Sequence, residues 1–154
     1  MPVIELATFI RATPERVFDL SRDVDAHVAS AVGTGERVVG GKTTGLLELG
    51  DEVTWEAVHF GVRQRLTSRI TRFDRPRSFR DSMVRGAFAR FDHDHVFEME
   101  RGGTLARDVF DFTSPLGPLG RIVDRVVLER HMRRFLEGRM SILKKIAERE
   151  AQSY

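Results

Sequence analysis

Six side chains that can donate, accept or move protons share strand faces with otherwise apolar residues: His59, Gln64, Asp81, His93, His95 and Asp108. Alternate residues of a strand face opposite sides. In GDEVTWEAVHFG, Val53, Trp55, Ala57 and His59 therefore point one way. The same parity groups Gln64 with Leu66, Ser68 and Ile70, and Asp81 with Phe79 and Met83. It then groups His93 and His95 with Phe91, Phe97 and Met99, and Asp108 with Thr104, Ala106, Phe110 and Phe112. A dry core rejects such polar groups unless they are paired, whereas a cavity that orients a ligand needs a few among greasy walls.

Four kinds of chemistry compete for this set. In the first, histidines and carboxylates fix the polar end of a hydrophobic ligand. In the second, a histidine paired with Asp81 or Asp108 acts as general acid or base, and Gln64 or a second histidine polarises a carbonyl. The third takes His93-Asp94-His95 as two zinc ligands on one face with His59 as a third, which an HxH pair alone supports weakly. In the fourth, the imidazoles bond neighbouring strands or Asp81 inside a filled core. We assign His59, His93 and Asp81 as catalytic candidates. The candidate ligand contacts are Trp55, Gln64, Leu66, Ile70, Phe79, Met83, Phe91, His95, Phe97, Asp108 and Phe110, joined by Met132 and Phe135 from the last helix. No metal and no cofactor is assigned. His131 reads as a half-exposed flank of that helix, and His27 as lying on the exposed side of an earlier short one.

The elements that must position these groups follow from period and punctuation. Val3 to Ile10 is rich in β-branched and aromatic residues and reads as a strand. Thr13-Pro14 opens a short helix as N-cap and first helical residue, without a full capping box because Arg16 stands where an acid or amide belongs. A second short helix is expected from Val24 to Ala31, stopping at Gly33. Six glycines between Gly33 and Gly50 bracket a short strand at Glu36 to Val39. Gly41-Lys42-Thr43 opens no helix there, so it is not a phosphate loop. Strands follow at Glu52 to Phe60, Val62 to Phe73, Ser78 to Val84, Ala87 to Glu98 and Thr104 to Phe112, and their short connections demand antiparallel neighbours. From Pro118 to Glu150, apolar residues including Leu119, Ile122, Val123, Val126, Met132, Leu136, Met140 and Leu143 recur at three- and four-residue steps. They predict one helix about 50 Å long, interrupted only at Gly138.

The chain has 154 residues, 41% of them hydrophobic and 31% charged, which fits a single globular domain over 1–154. No apolar run approaches a membrane span, and MPVIELATFIRATPERVF lacks the pattern of an export signal, so a cytoplasmic location is expected. The absence of cysteine removes thiol chemistry and disulfides. The pI of about 9.5 reflects arginine usage. With a net charge of only +2 and no basic arm, nucleic acid is not an expected partner. Homo-oligomerisation is left open.

The order β-α-α-β6-α resembles the helix-grip fold of the START-related, birch-pollen-allergen-like and polyketide-cyclase-like superfamily, SRPBCC. ATPERVFDLSRDVDAH resembles the opening helices of that superfamily. WEAVHFG, RQRLTSRITRFDRPRSFRDSMVRGAF and GGTLARDVFDFTSPLGPLG resemble the middle and end of bacterial members described as cyclases or dehydrases. The resemblance implies an α+β domain in which a curved antiparallel sheet grips a long C-terminal helix around an apolar cavity. It also implies a small or medium hydrophobic ligand, lipid, aromatic or polyketide-like. The alternatives are a cofactor-free cyclase, dehydratase or isomerase, and a regulatory module with a filled core.

Overall fold

The computed structural model describes residues 3–30, 35–115 and 117–152. Two short hairpin turns set the register of the sheet. Strand β3 (Glu52–His59) turns into β4 (Val62–Asp74) through Phe60-Gly61, both at positive φ, the backbone that matches strand twist in a two-residue loop. Strand β6 (Arg90–Glu100) turns into β7 (Gly103–Thr113) through Arg101-Gly102, with Gly102 at φ 86°. With β1 (Val3–Ile10), β2 (Arg37–Gly41) and β5 (Ser78–Arg85), these form a seven-stranded antiparallel sheet in the order β1-β7-β6-β5-β4-β3-β2. The sheet is open, with β1 and β2 at its edges.

Close approach of the backbone fixes one glycine. A Cβ on Gly103 would lie 2.2 Å from the carbonyl oxygen of Ile10, so only glycine lets β7 begin beside the end of β1.

Helix α1 (Pro14–Ser21) starts where Thr13 predicts: its side chain accepts a hydrogen bond from the Arg16 N–H, and Pro14 fills the first turn. Its inner face drives Phe18 edge-on into Phe73, Phe79 and Phe97, with ring centroids 5.3–5.5 Å apart. Phe18 is fully buried, a burial that stabilises by roughly 2 kcal/mol before the ring contacts are added. Asp23 caps α2 (Val24–Ala29) by accepting from the N–H groups of Asp25 and Ala26. The expected extension to Ala31 and the stop at Gly33 lie outside the described residues.

The C-terminal segment departs from the single predicted rod. It runs as α3 (Gly117–Val123), a π-helical turn (Asp124–Leu128) and α4 (Glu129–Ala151). The break therefore falls at 124–128, and α4 passes through Gly138 without interruption. A Cβ on Gly138 would meet open space, so no close approach requires glycine there. Met132, Leu136, Met140, Leu143 and Ala147 form the buried stripe of α4, whereas Leu119, Ile122 and Val126 are exposed. The side chain of Val123 lies outside the described set.

Two smaller differences concern the strands. The first strand after the glycine-rich stretch is shifted to Arg37–Gly41, with a register slip between Val38 and Gly40. Strand β6 begins at Arg90 instead of Ala87. Strand parity holds in both neighbours of the site. Its apolar meaning ends at Met99, which is 77% exposed because the strand outruns the layer that covers it.

Candidate functional site

Above the sheet, α1 and α4 do not fill the space evenly. Under α1 the face is packed solid: Ile70, Phe79 and Phe97 belong to the core around Phe18. Toward α4 a cavity of about 290 Å³ remains between helix and sheet. Of the sequence candidates, Trp55, His59, Gln64, Leu66, Asp81, Phe91, His93, Phe110, Met132 and Phe135 line it. Ile70, Phe79 and Phe97 do not, because Phe18 and its neighbours occupy the space they face. Met83 packs beside the Phe91 and Phe110 cluster without reaching the void. His95 and Asp108 also stop short of it and stand behind His93.

Pairing register explains how the floor of the cavity is assembled. Asp81 stands opposite His93 across β5 and β6, and Asp108 opposite His95 across β6 and β7. Directly opposed and diagonal side chains on one face are in reach of one another. His95 uses this fully: Nε2 hydrogen-bonds Asp81 Oδ1 at 2.9 Å, and Nδ1 lies 3.1 Å from Asp108 Oδ1. A ring set between two carboxylates is favoured as the imidazolium. Burial opposes that charge, but the bonds to Asp108 and Asp81 outweigh it and hold the His95 pKa at about 9. Asp108 is likewise resisted by burial and held well below the usual carboxylate range by the two imidazoles beside it.

His93 occupies a different state from its neighbour. Its nitrogens lie 3.7 Å from Asp81 and from Asp108, too far for hydrogen bonds, and its buried Nε2 has no partner among the described residues. Burial, and then the charge of His95 with its ring 3.9 Å away, push its pKa down. It is a neutral imidazole on the cavity wall.

Asp81, His93 and His95 bring one donor atom each within 4.8 Å of one another. This trio replaces the expected grouping of His93 and His95 with His59, which lies elsewhere on the wall.

The wall also holds residues that strand parity does not reach. His27, expected on an exposed face, instead stacks on Trp55 at 4.1 Å and sets Nε2 2.8 Å from Glu36 Oε1. Arg139 of α4 approaches the same oxygen at 3.7 Å and lies over the Phe135 ring at 4.6 Å. Burial works against ionisation of Glu36, yet His27 and Arg139 lower its pKa to about 2. The pKa of His27 is itself lowered by burial and then by Arg139. His131, expected as a flank, lines the cavity and pairs with His59, Nδ1 to Nε2 at 2.8 Å. Its spacing carries a usable signal, since Leu128, His131, Met132, Phe135, Leu136 and Arg139 follow three- and four-residue steps on one helix face. The placement of His27 and Glu36 has no comparable local signal. His27 rides on the short helix α2 and Glu36 just precedes β2, so their meeting is tertiary.

An open antiparallel sheet gripping a long terminal helix over a polar-floored cavity defines the helix-grip class, and comparison with known proteins agrees. The chain belongs to the family described as polyketide cyclase / dehydrase and lipid transport, which matches residues 1–148; this family lies within the SRPBCC superfamily. Among solved structures it is similar to the protein TTHA0849 from Thermus thermophilus, at 21% identity and a TM-score of 0.77 over 94% of this chain and 95% of that one. It is also similar to the di-domain ARO/CYC StfQ from the steffimycin biosynthetic pathway, at 14% identity and a TM-score of 0.77, covering 97% of this chain and 51% of StfQ. Ara h 8.0201 shares 15% identity with a TM-score of 0.65, over 95% of this chain and 97% of that one. At these identities the likeness is one of fold. Among curated proteins none matches the sequence. No helix of the described residues is long and apolar enough to cross a membrane.

Proposed function

We propose that the protein binds a small, largely hydrophobic molecule of lipid, aromatic or polyketide-like character in this cavity. The observation that carries the reading is the unfilled space itself: about 290 Å³, near the lower end of ligand-pocket sizes, walled mainly by Phe88, Phe91, Phe110, Leu128, Phe135 and Leu136. A core evolved only for packing closes voids of this size, because the lining forfeits its contacts. The same void argues against a regulatory module with a filled core. Native mass spectrometry of the freshly purified protein tests the reading: a co-purified hydrophobic species of defined mass supports it. Failure to retain or take up any hydrophobic probe sinks it.

A second reading, a cofactor-free cyclase, dehydratase or isomerase, is favoured by one specific feature. His93 is a neutral imidazole on the wall, with Asp81 beside it and the His95 imidazolium and Asp108 behind. Such a base accepts a proton from carbon beside a carbonyl while the electron pair moves onto the oxygen as an enolate. His59, paired with His131, is the second candidate for proton transfer. If His93→Ala and His59→Ala retain affinity for an identified ligand but lose its turnover, this reading replaces simple binding. Retained turnover in both removes it.

A further inference from the structure

The binding reading leaves the ligand's polar group unspecified, and the charges around the cavity narrow it. The ionised groups set among the cavity's histidines are the carboxylates of Glu36, Asp81 and Asp108, the Arg139 guanidinium and the His95 imidazolium; Arg65, also on the lining, points its exposed guanidinium at Glu56 and balances that carboxylate instead. His27, His59, His93 and His131 are all shifted toward the neutral form by burial. One negative charge is left uncompensated, and an unpaired charge in a low-dielectric interior is the most costly kind of buried group.

Geometry shows where that charge can be reached. Glu36 is engaged by His27 at 2.8 Å and faced by Arg139 at 3.7 Å. Asp108 lies behind the histidines, away from the cavity. Asp81 lines the cavity with its side chain 20% exposed. Its Oδ1 receives His95, while Oδ2 takes no hydrogen bond from any described residue. Phe88, Phe91 and Phe110 line the same cavity, and aromatic rings attract cations. Two cations line the wall, and each already faces a carboxylate: Arg65 donates to Glu56 at 2.9 Å, and Arg139, whose Nε is unpartnered, is faced by Glu36 at 3.7 Å.

We propose that the cavity is selective for a hydrophobic amine, whose ammonium donates to Asp81 Oδ2 among these aromatic rings, and that it discriminates against carboxylates such as fatty acids. The inference rests on the binding reading and adds to it the charge of the ligand.

Calorimetric titration of the intact protein at neutral pH with naphthylmethylamine, naphthalenemethanol and naphthoic acid tests it, since the three share a ring system and differ in charge. The amine should bind roughly tenfold or more tightly than the acid, with the alcohol between them. Asp81→Asn should remove the preference for the amine, bringing the amine and the alcohol to within about twofold of each other. This variant keeps one carboxylate for the His95 imidazolium, so its fold is retained. If the alcohol binds but the acid equals or exceeds the amine, or if Asp81→Asn leaves the preference intact, the charge assignment is overturned and the binding reading stands. If none of the three binds, both fall.

Discussion

His59 and His131, 72 residues apart in the chain, meet with Nδ1 of one 2.8 Å from Nε2 of the other, joining the end of β3 to the first turn of α4. One nitrogen must donate and the other accept, so the contact exists only while at least one ring is neutral. Burial lowers both pKa values, and His131 lowers that of His59 further. Imidazole NMR titrations should therefore give midpoints below about 6.5 for both. His131→Gln should move the His59 midpoint upward; an unmoved midpoint would show that the two rings do not sense each other.

The whole set of histidines shapes stability against pH. His27, His59, His93 and His131 have lowered pKa values, so their contribution is complete above about 6.5 and is lost as acid protonates the unfolded chain first. His95, raised to about 9, does the reverse: its contribution is complete below about 6.5 and disappears as pH rises through about 9. Thermal melting should peak near neutrality and fall on both sides. Loss of the alkaline limb in His95→Asn, with the acid limb kept, would assign that side to one residue.

Two substitutions in the floor should differ sharply. His95→Asn leaves Asp81 and Asp108 facing each other without their cation and should cost about 3 kcal/mol or more at neutral pH, shrinking as acid protonates the carboxylates. Asp108→Asn leaves one carboxylate for one imidazolium and should cost under about 1.5 kcal/mol. Urea unfolding of the two variants measures both. Equal losses would mean that packing, not charge balance, holds this cluster together.

Phe60 is the one non-glycine residue at positive φ among those described, at 53°, and it is 55% exposed at the cavity edge. Phe60→Asn places an Asn-Gly pair in the two-residue turn that prefers it. It should raise stability by about 1 kcal/mol, because the left-handed conformation penalises a bulky side chain. It also removes the ring that lies 4.4 Å from His131, so bound ligand should dissociate faster. A variant less stable than the parent would show that the ring contact outweighs the backbone strain.

Ala57 lines the void from β3 and is only 6% exposed. Ala57→Leu inserts methyl groups into empty space, so the melting temperature should hold or rise while hydrophobic probes lose roughly tenfold or more in affinity. Unchanged affinity would place the ligand elsewhere.

Strand parity carries much of the site. It places Asp81, His93, His95 and Asp108 on one face, because the period of two survives wherever no bulge intervenes. It does not divide that face into void and core, since the division depends on where Phe18 of α1 lands, a contact 55 residues or more from its ring partners in sequence. Nor does it show that His93 and His95 differ in charge. That difference follows from carboxylate distances of 3.7 Å for one and of 2.9 and 3.1 Å for the other, which register sets only to within a rotamer. The break at 124–128 is hidden for a related reason. A π turn inserts its extra residue without changing the apolar composition on either side.

Trp55 is the sole tryptophan of the chain, and its indole is stacked on His27 in the wall of the void. Its emission therefore reads out a single place, with no second fluorophore of its kind to dilute the signal. A molecule settling against that indole, or a proton arriving on the imidazole above it, registers in the ultraviolet spectrum of the unlabelled protein.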